Sequence, residues 1–244
     1  MVEPLKGLKV FGIKKSFLTK ILEDFFVRDR DIRWEISSDP LEDFISVRLA
    51  EDDRGETDTG LSQLEKELRD FLGPFVYATG ERGMEEIIGD MLAGKDLTIS
   101  VAESCTGGLI GDLLTNVPGS SGYFLGGVIV YSNRSKIDLL NVSDETIRDH
   151  GAVSDQTVRE MAEGVKRLFK SSMGLAVTGI AGPEGGSQEK PVGTVFIGLA
   201  AEKDLLSQRY LFHGNRGQIK YNSATMALDW IRRYLNDDPF IPGL

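Results

Sequence analysis

The stretch LTISVAESCTGGLIGDLL, residues 97–114, decides the fold class. Leu97 to Ala102 is a short apolar run, the pattern of a strand buried on both faces. Gly107 and Gly108 follow, and apolar residues then recur at helical spacing from Thr106 to Leu114. Strand, tight turn and helix in that order make one unit of a layered α/β domain.

The same alternation continues downstream. Strands are predicted at Gly127–Tyr131 and Gly174–Thr178, and helices at Lys136–Leu140 and Thr157–Phe169. The second helix carries Val158, Met161, Ala162, Val165, Leu168 and Phe169 on one side. Val192–Ala200 and Leu206–Phe212 read as a hairpin, and Ile219–Leu235 as a closing helix. Upstream the pattern is different. Strands are predicted at Leu8–Ile13, around Ile32–Ile36, at Phe44–Leu49 and at Phe75–Ala78. Helices are expected at Ser16–Val27, with Ser16 as its cap, and along Leu61, Leu64, Leu68, Phe71 and Leu72. Asp52–Glu56 is a charged break, and Met84–Leu92 a helix leading into the second half. The expected architecture is a small α+β domain over residues 1–82, followed by a layered α/β domain over residues 83–244.

Composition narrows the function. The 244 residues carry 28 Lys and Arg against 38 Asp and Glu, a net charge of −10. Residues 1–80 hold 12 basic and 17 acidic side chains and the remainder 16 and 21, so each part is net −5. Phosphate backbones are bound by Lys and Arg, so no nucleic-acid partner is expected. One cysteine forms no internal disulfide, which suits a reducing cytoplasm. The chain shows no secretory h-region and no run of roughly 18 apolar residues, so a soluble protein without a membrane partner is expected.

Four clusters carry candidate chemistry. Ala102-Glu103-Ser104-Cys105-Thr106-Gly107-Gly108 sits at a strand end, where ligands of open α/β sheets collect. It offers hydroxyls, a thiol and the backbone N–H groups of a helix start. It reads equally as an ordinary capped turn. It is not a G-x-S-x-G elbow. Tyr131-Ser132-Asn133-Arg134-Ser135-Lys136 follows the next strand. A polar core tyrosine and an exposed lysine are the plainer reading, but a serine nucleophile needs a base. With only two histidines in the chain, a lysine of lowered pKa is the natural substitute. Thr178-Gly179-Ile180-Ala181-Gly182-Pro183-Glu184-Gly185-Gly186 is a glycine-dense ligand loop or a surface turn. Arg216, just before the last helix, either clamps an anion or sits in solvent. Glu103 reads as an acid, a base or, more simply, a charge on the helix N-terminus. His150 and His213 lie in loop-like stretches without metal-ligand spacing, and no metal or cofactor is expected.

Taken together, AESCTGG, YSNRSK, HGAVS, TGIAGPEGGS, KPVGTV and GNR, in this order over roughly residues 85–236, closely resemble the C-terminal domain of the CinA (competence/damage-inducible) family. The resemblance implies a nicotinamide-nucleotide amidase of pyridine nucleotide salvage. Such an enzyme hydrolyses nicotinamide mononucleotide to nicotinic acid mononucleotide and ammonia. It implies Ser104 as nucleophile, Lys136 as general base and Tyr131 as a further proton-handling or orienting group. Thr178 and Arg216 are implied to bind substrate, with Thr106, Gly107, Gly108, Gly179 and Gly182 around it. Backbone N–H groups at Gly107-Gly108, with Thr178, are expected to hold the oxyanion. Cys105 is the rival nucleophile.

The first 80 residues resemble the KH-type domain of longer CinA proteins. Their leading molybdopterin-binding-type domain has no counterpart here, so pyrophosphatase activity is not expected. The KH-type unit has no G-x-x-G loop, which argues against RNA binding and for docking or oligomerisation. A homodimer or higher homo-oligomer is the expected state. The competing expectation is a non-catalytic partner protein, tied to competence or DNA damage, that only senses a nucleotide.

Overall fold

A computed structural model describes residues 6–26, 32–38, 44–51 and 58–242. The chain divides into two compact units, Met1–Ile87 and Ile88–Leu244. The predicted break at Asp52–Glu56 lies outside the described residues.

The first unit runs β1 (Lys6–Phe11), α1 (Lys15–Phe26), β2 (Ile32–Ser38), β3 (Phe44–Glu51), α2 (Asp58–Leu72) and β4 (Val76–Thr79). Its sheet has the order β2-β3-β1-β4, with all three pairings antiparallel. Helix α1 begins at Lys15, so Ser16 lies inside it and is not its cap. Leu18, Leu22 and Phe26, spaced by four, are the buried row against the sheet, with Leu64, Leu68 and Leu72 of α2. Phe71, expected in the second stripe, and Phe17 are exposed. Each stands next to a buried leucine, and one residue turns a helix by about 100°, which carries the ring off the core.

The second unit begins within α3 (Met84–Gly94) and continues β5 (Ile99–Glu103), α4 (Leu109–Thr115), β6 (Phe124–Ile129), α5 (Asn133–Leu140) and α6 (Asp144–His150). There follow α7 (Asp155–Phe169), β7 (Met173–Gly179), β8 (Thr194–Ala200), β9 (Leu205–Leu211) and α8 (Arg216–Asn236). The sheet order is β6-β5-β7-β8-β9. Strand β5 is parallel to both β6 and β7, and β7, β8 and β9 are antiparallel. The α/β class is as expected, and β8–β9 is the expected hairpin. Helix α6 was not foreseen, and it makes His150 a helix C-terminal residue instead of a loop residue.

Helix α7 packs on β5, β7 and β8, while α8 packs on β7, β8 and α4. Val158, Met161, Ala162 and Val165 of α7 join Ala102, Ala176 and Phe196 of the sheet in one core. Leu168, expected on that stripe, is exposed in the last turn. Gly174 is required for this packing, because a Cβ there would stand 2.2 Å from the Ala162 carbonyl oxygen. From β5 the chain crosses to β6 on one side and later reaches β7 on the other. The carboxyl ends of these three parallel strands therefore meet at a topological switch point, where open α/β sheets form their ligand crevices.

Candidate active site

All five residues of β5 are buried, and the strand ends on a carboxylate that is fully engaged. Glu103 accepts from the N–H groups of Gly108 (2.9 Å), Ile110 (3.2 Å) and Gly111 (2.9 Å). It thereby caps α4 from the strand, because Gly108, at φ +99°, has no side chain to do so. Of the two sequence readings of Glu103, the helix-terminus charge is the observed one. The Ser104 N–H donates to the Val177 carbonyl at 3.0 Å and extends the β5–β7 ladder by one bond. Strand, cap and turn together hold the Ser104 side chain at the strand end.

Lys136 reaches that point from α5. The Ser132 hydroxyl caps this helix by accepting from the Ser135 N–H at 3.1 Å. Lys136, in the first full turn, is only 1% exposed. Its Nζ lies 2.7 Å from the Val130 carbonyl, 3.4 Å from the Tyr131 carbonyl and 3.0 Å from Ser104 Oγ. Burial drives its pKa down from 10.5 to about 8, since desolvation penalises the ammonium. In the neutral amine the two carbonyls take the two N–H bonds, and the lone pair is left to accept from the Ser104 hydroxyl.

These two groups open onto a cavity of ≈160 Å³ lined also by Thr178, Gly179 and Arg216. Arg216 is the first residue of α8, which is capped reciprocally by Asn215 and Gln218. Its guanidinium donates to the Gly182 carbonyl at 2.6 Å and to the Tyr131 hydroxyl at 3.1 Å. Tyr131 also borders the cavity and is 63% exposed. Its hydroxyl accepts from Arg216 and makes no hydrogen bond to Ser104 or Lys136.

Four of the expected substrate contacts do not line this cavity. Thr106 is fully buried, with its hydroxyl unpartnered among the described residues. Gly107 and Gly108 are not among its lining residues. The Gly182 carbonyl accepts from Arg216. The Gly108 N–H is already spent on Glu103, so it is not an oxyanion donor, and Thr178 Oγ1 donates to the Ala152 carbonyl at 2.8 Å. Among the described residues, the N–H groups of Thr106 and Gly107 donate no hydrogen bond, and that of Cys105 donates to no other residue. Asn133, Ala152 and Val153 line the cavity without having been singled out as site residues. Ala152 and Val153 belong to the HGAVS motif, which was the available signal.

Cys105 also borders the cavity, but burial pushes its thiol up to about 12. A neutral thiol is a poor nucleophile. Alkylation of Cys105 by iodoacetamide near pH 8 is expected to run about 10³-fold slower than that of free cysteine. Labelling followed by intact mass checks this, and rapid labelling would reinstate the thiol as a nucleophile.

A larger cavity of ≈550 Å³ lies by the end of α7 and the β8–β9 turn, lined by Lys166, Lys170 and Glu202 among others. The Ser171 hydroxyl in its lining hydrogen-bonds Ser100 and the Met173 carbonyl and no lysine amine. Among the described residues no group of three or more His, Cys, Asp or Glu side chains is placed to hold a metal ion. No helix among them is long and apolar enough to cross a membrane.

The family model of the CinA C-terminal domain matches residues 81–235. A CinA-like protein of Dictyoglomus thermophilum is 41% identical over 93% of this chain and 56% of its own length. The CinA-like protein of Thermotoga maritima is 39% identical over 93% of this chain and 55% of its own. The chain thus spans about half the length of these relatives. The crystal structure of competence/damage inducible protein CihA from Agrobacterium tumefaciens is 37% identical, with a TM-score of 0.59 over 65% of this chain and 99% of that one. A CinA superfamily protein from Klebsiella pneumoniae is 28% identical, with a TM-score of 0.61 over 64% and 99%.

Proposed function

The chain belongs to the CinA family, and from that premise we propose that the Ser104 pocket is the active site of an amidohydrolase that converts nicotinamide mononucleotide to nicotinic acid mononucleotide and ammonia. The observation that carries the reading is the buried Lys136 amine 3.0 Å from Ser104 Oγ. A lysine held out of water beside a hydroxyl costs stability, and such arrangements concentrate at catalytic sites.

In the proposed reaction the neutral Lys136 amine accepts the Ser104 proton as Oγ attacks the carboxamide carbon. The C–N bond keeps its electrons until the tetrahedral intermediate collapses. The N–H of Cys105, the turn residue that lines the cavity beside Ser104, holds the oxyanion in place of the expected Gly107-Gly108 pair. Lys136, now an ammonium, returns its proton to the leaving nitrogen, and ammonia departs. Water then attacks the ester with Lys136 again as base, releasing the acid and restoring Ser104. Arg216, fixed between Gly182 and Tyr131, orients the pyridine side of the substrate.

The test is ammonia release by purified protein supplied with nicotinamide mononucleotide. The base must be unprotonated, so kcat/KM is expected to rise with pH and level off above about 8, the value to which burial lowers Lys136. Absence of ammonia, or activity that falls over this range, contradicts the reading. Binding without turnover would favour a nucleotide sensor instead.

A further inference from the structure

Two motifs, HGAVS at residues 150–154 and KPVGTV at 190–195, have no part in the reaction as written. Ala152 and Val153 of the first line the cavity that Ser104 and Lys136 open onto. They stand on the link between α6 and α7, residues 151–154, which belongs to no helix or strand. A backbone without a ladder depends on the bonds that other groups bring to it.

Three successive carbonyls here each accept from a side chain, and the donors come from three parts of the chain. The His150 carbonyl accepts from Lys190 Nζ at 2.9 Å. The Gly151 carbonyl accepts from Ser154 Oγ at 2.9 Å and Thr157 Oγ1 at 2.8 Å, at the start of α7. The Ala152 carbonyl accepts from Thr178 Oγ1 of β7 at 2.8 Å. Lys190 is itself held by Ser187. Its N–H donates to Ser187 Oγ at 3.0 Å, and its carbonyl accepts from the Ser187 N–H at 2.9 Å. Capping the last carbonyl of α6 would account for Lys190 alone. It does not account for the next two carbonyls being engaged as well, on the stretch that gives the pocket two apolar side chains. At ≈160 Å³ the cavity is small beside the ~300–1,000 Å³ of sites that enclose a drug-sized ligand, so a small shift of this wall changes what it admits.

We propose that the 150–153 segment sets the size of the pocket, and that Lys190 and Thr178 are positioning residues that hold it in place. This rests on the reading that Ser104 opens an amide in this pocket. Lys190 is not among the residues that line the cavity and acts only through the His150 carbonyl. A wall fixed at three successive carbonyls excludes an added methyl group. A wall released from one clamp gives way to it.

The test is ammonia release from nicotinamide mononucleotide and from its analogue methylated at C5 of the pyridine ring. One methyl group is worth about 10- to 200-fold in kcat/KM, and the unsubstituted protein should prefer the unmethylated amide by such a factor. Lys190→Met and Thr178→Val each remove one clamp and are expected to shrink that preference by about 10-fold. Lys190→Arg and Thr178→Ser keep a donor and should retain it. A clamp that serves stability alone would slow both amides equally and leave the ratio where it was. An unchanged ratio in either clamp variant, or an unsubstituted protein that hydrolyses both amides equally well, overturns the proposal while leaving the amidase reading intact. No ammonia from the unsubstituted protein with nicotinamide mononucleotide removes that reading and this inference with it.

Discussion

Ammonia release by a Ser104→Ala protein is expected to fall by at least about 10³-fold with nicotinamide mononucleotide as substrate. The hydroxyl is the group that Lys136 faces, at 3.0 Å, and alanine leaves that amine nothing to deprotonate but water. The adjacent Cys105 does not take over, because its thiol stays protonated up to about 12. The loss should be one of chemistry and not of folding. The structural bond of residue 104 is made by its backbone N–H to Val177, which alanine keeps. Ammonia assay and thermal denaturation on the same preparation check both halves. Near-normal turnover by this variant would refute Ser104 as the nucleophile.

Lys136→Met should cost about 10³- to 10⁴-fold in turnover, since general-base assistance and proton return to the leaving group are lost together. It also has a stability signature that an exposed lysine would not show. The folded-state pKa is about 8 and the ordinary value 10.5. Below pH 8 both states carry the proton. Between the two values the unfolded chain binds more protons than the folded one, so stability rises with pH. Above 10.5 both are neutral. The stability of the unsubstituted protein relative to Lys136→Met should therefore climb by about 3 kcal/mol from pH 8 to 10.5. Urea unfolding of both proteins across that range measures it. A flat difference would mean that Lys136 remains an ordinary ammonium in the folded state.

Much of this site was legible before any coordinates. The strand-turn-helix pattern around Ser104 and the second one around Lys136 place both residues at strand ends. Parallel strands bring such ends together, so the pairing follows from topology. What was not legible depends on how hydrogen bonds are shared out in three dimensions. The Gly108 N–H looks free in the sequence, and it is lost to Glu103 only because that carboxylate folds forward over the helix start. Tyr131 and Arg216 are 85 residues apart, and nothing local shows that one hydroxyl engages the other's guanidinium. Helix α6 carries a good cap in Ser143 but only Ile147 as an apolar anchor, too little for periodicity to register. Asp229, Arg232 and Arg233 of α8 would be placed on a solvated face from charge alone. They are buried because one carboxylate serves both guanidinium groups.

The central claim, a covalent ester on Ser104 formed with Lys136 as base, is tested most directly by acid-quenching the protein during turnover of nicotinamide mononucleotide and locating the adduct by fragmentation mass spectrometry. The account predicts a nicotinate-mononucleotide acyl group on the Ser104 oxygen, absent from Ser104→Ala. The same mass on the Cys105 sulfur or on the Lys136 amine would contradict it.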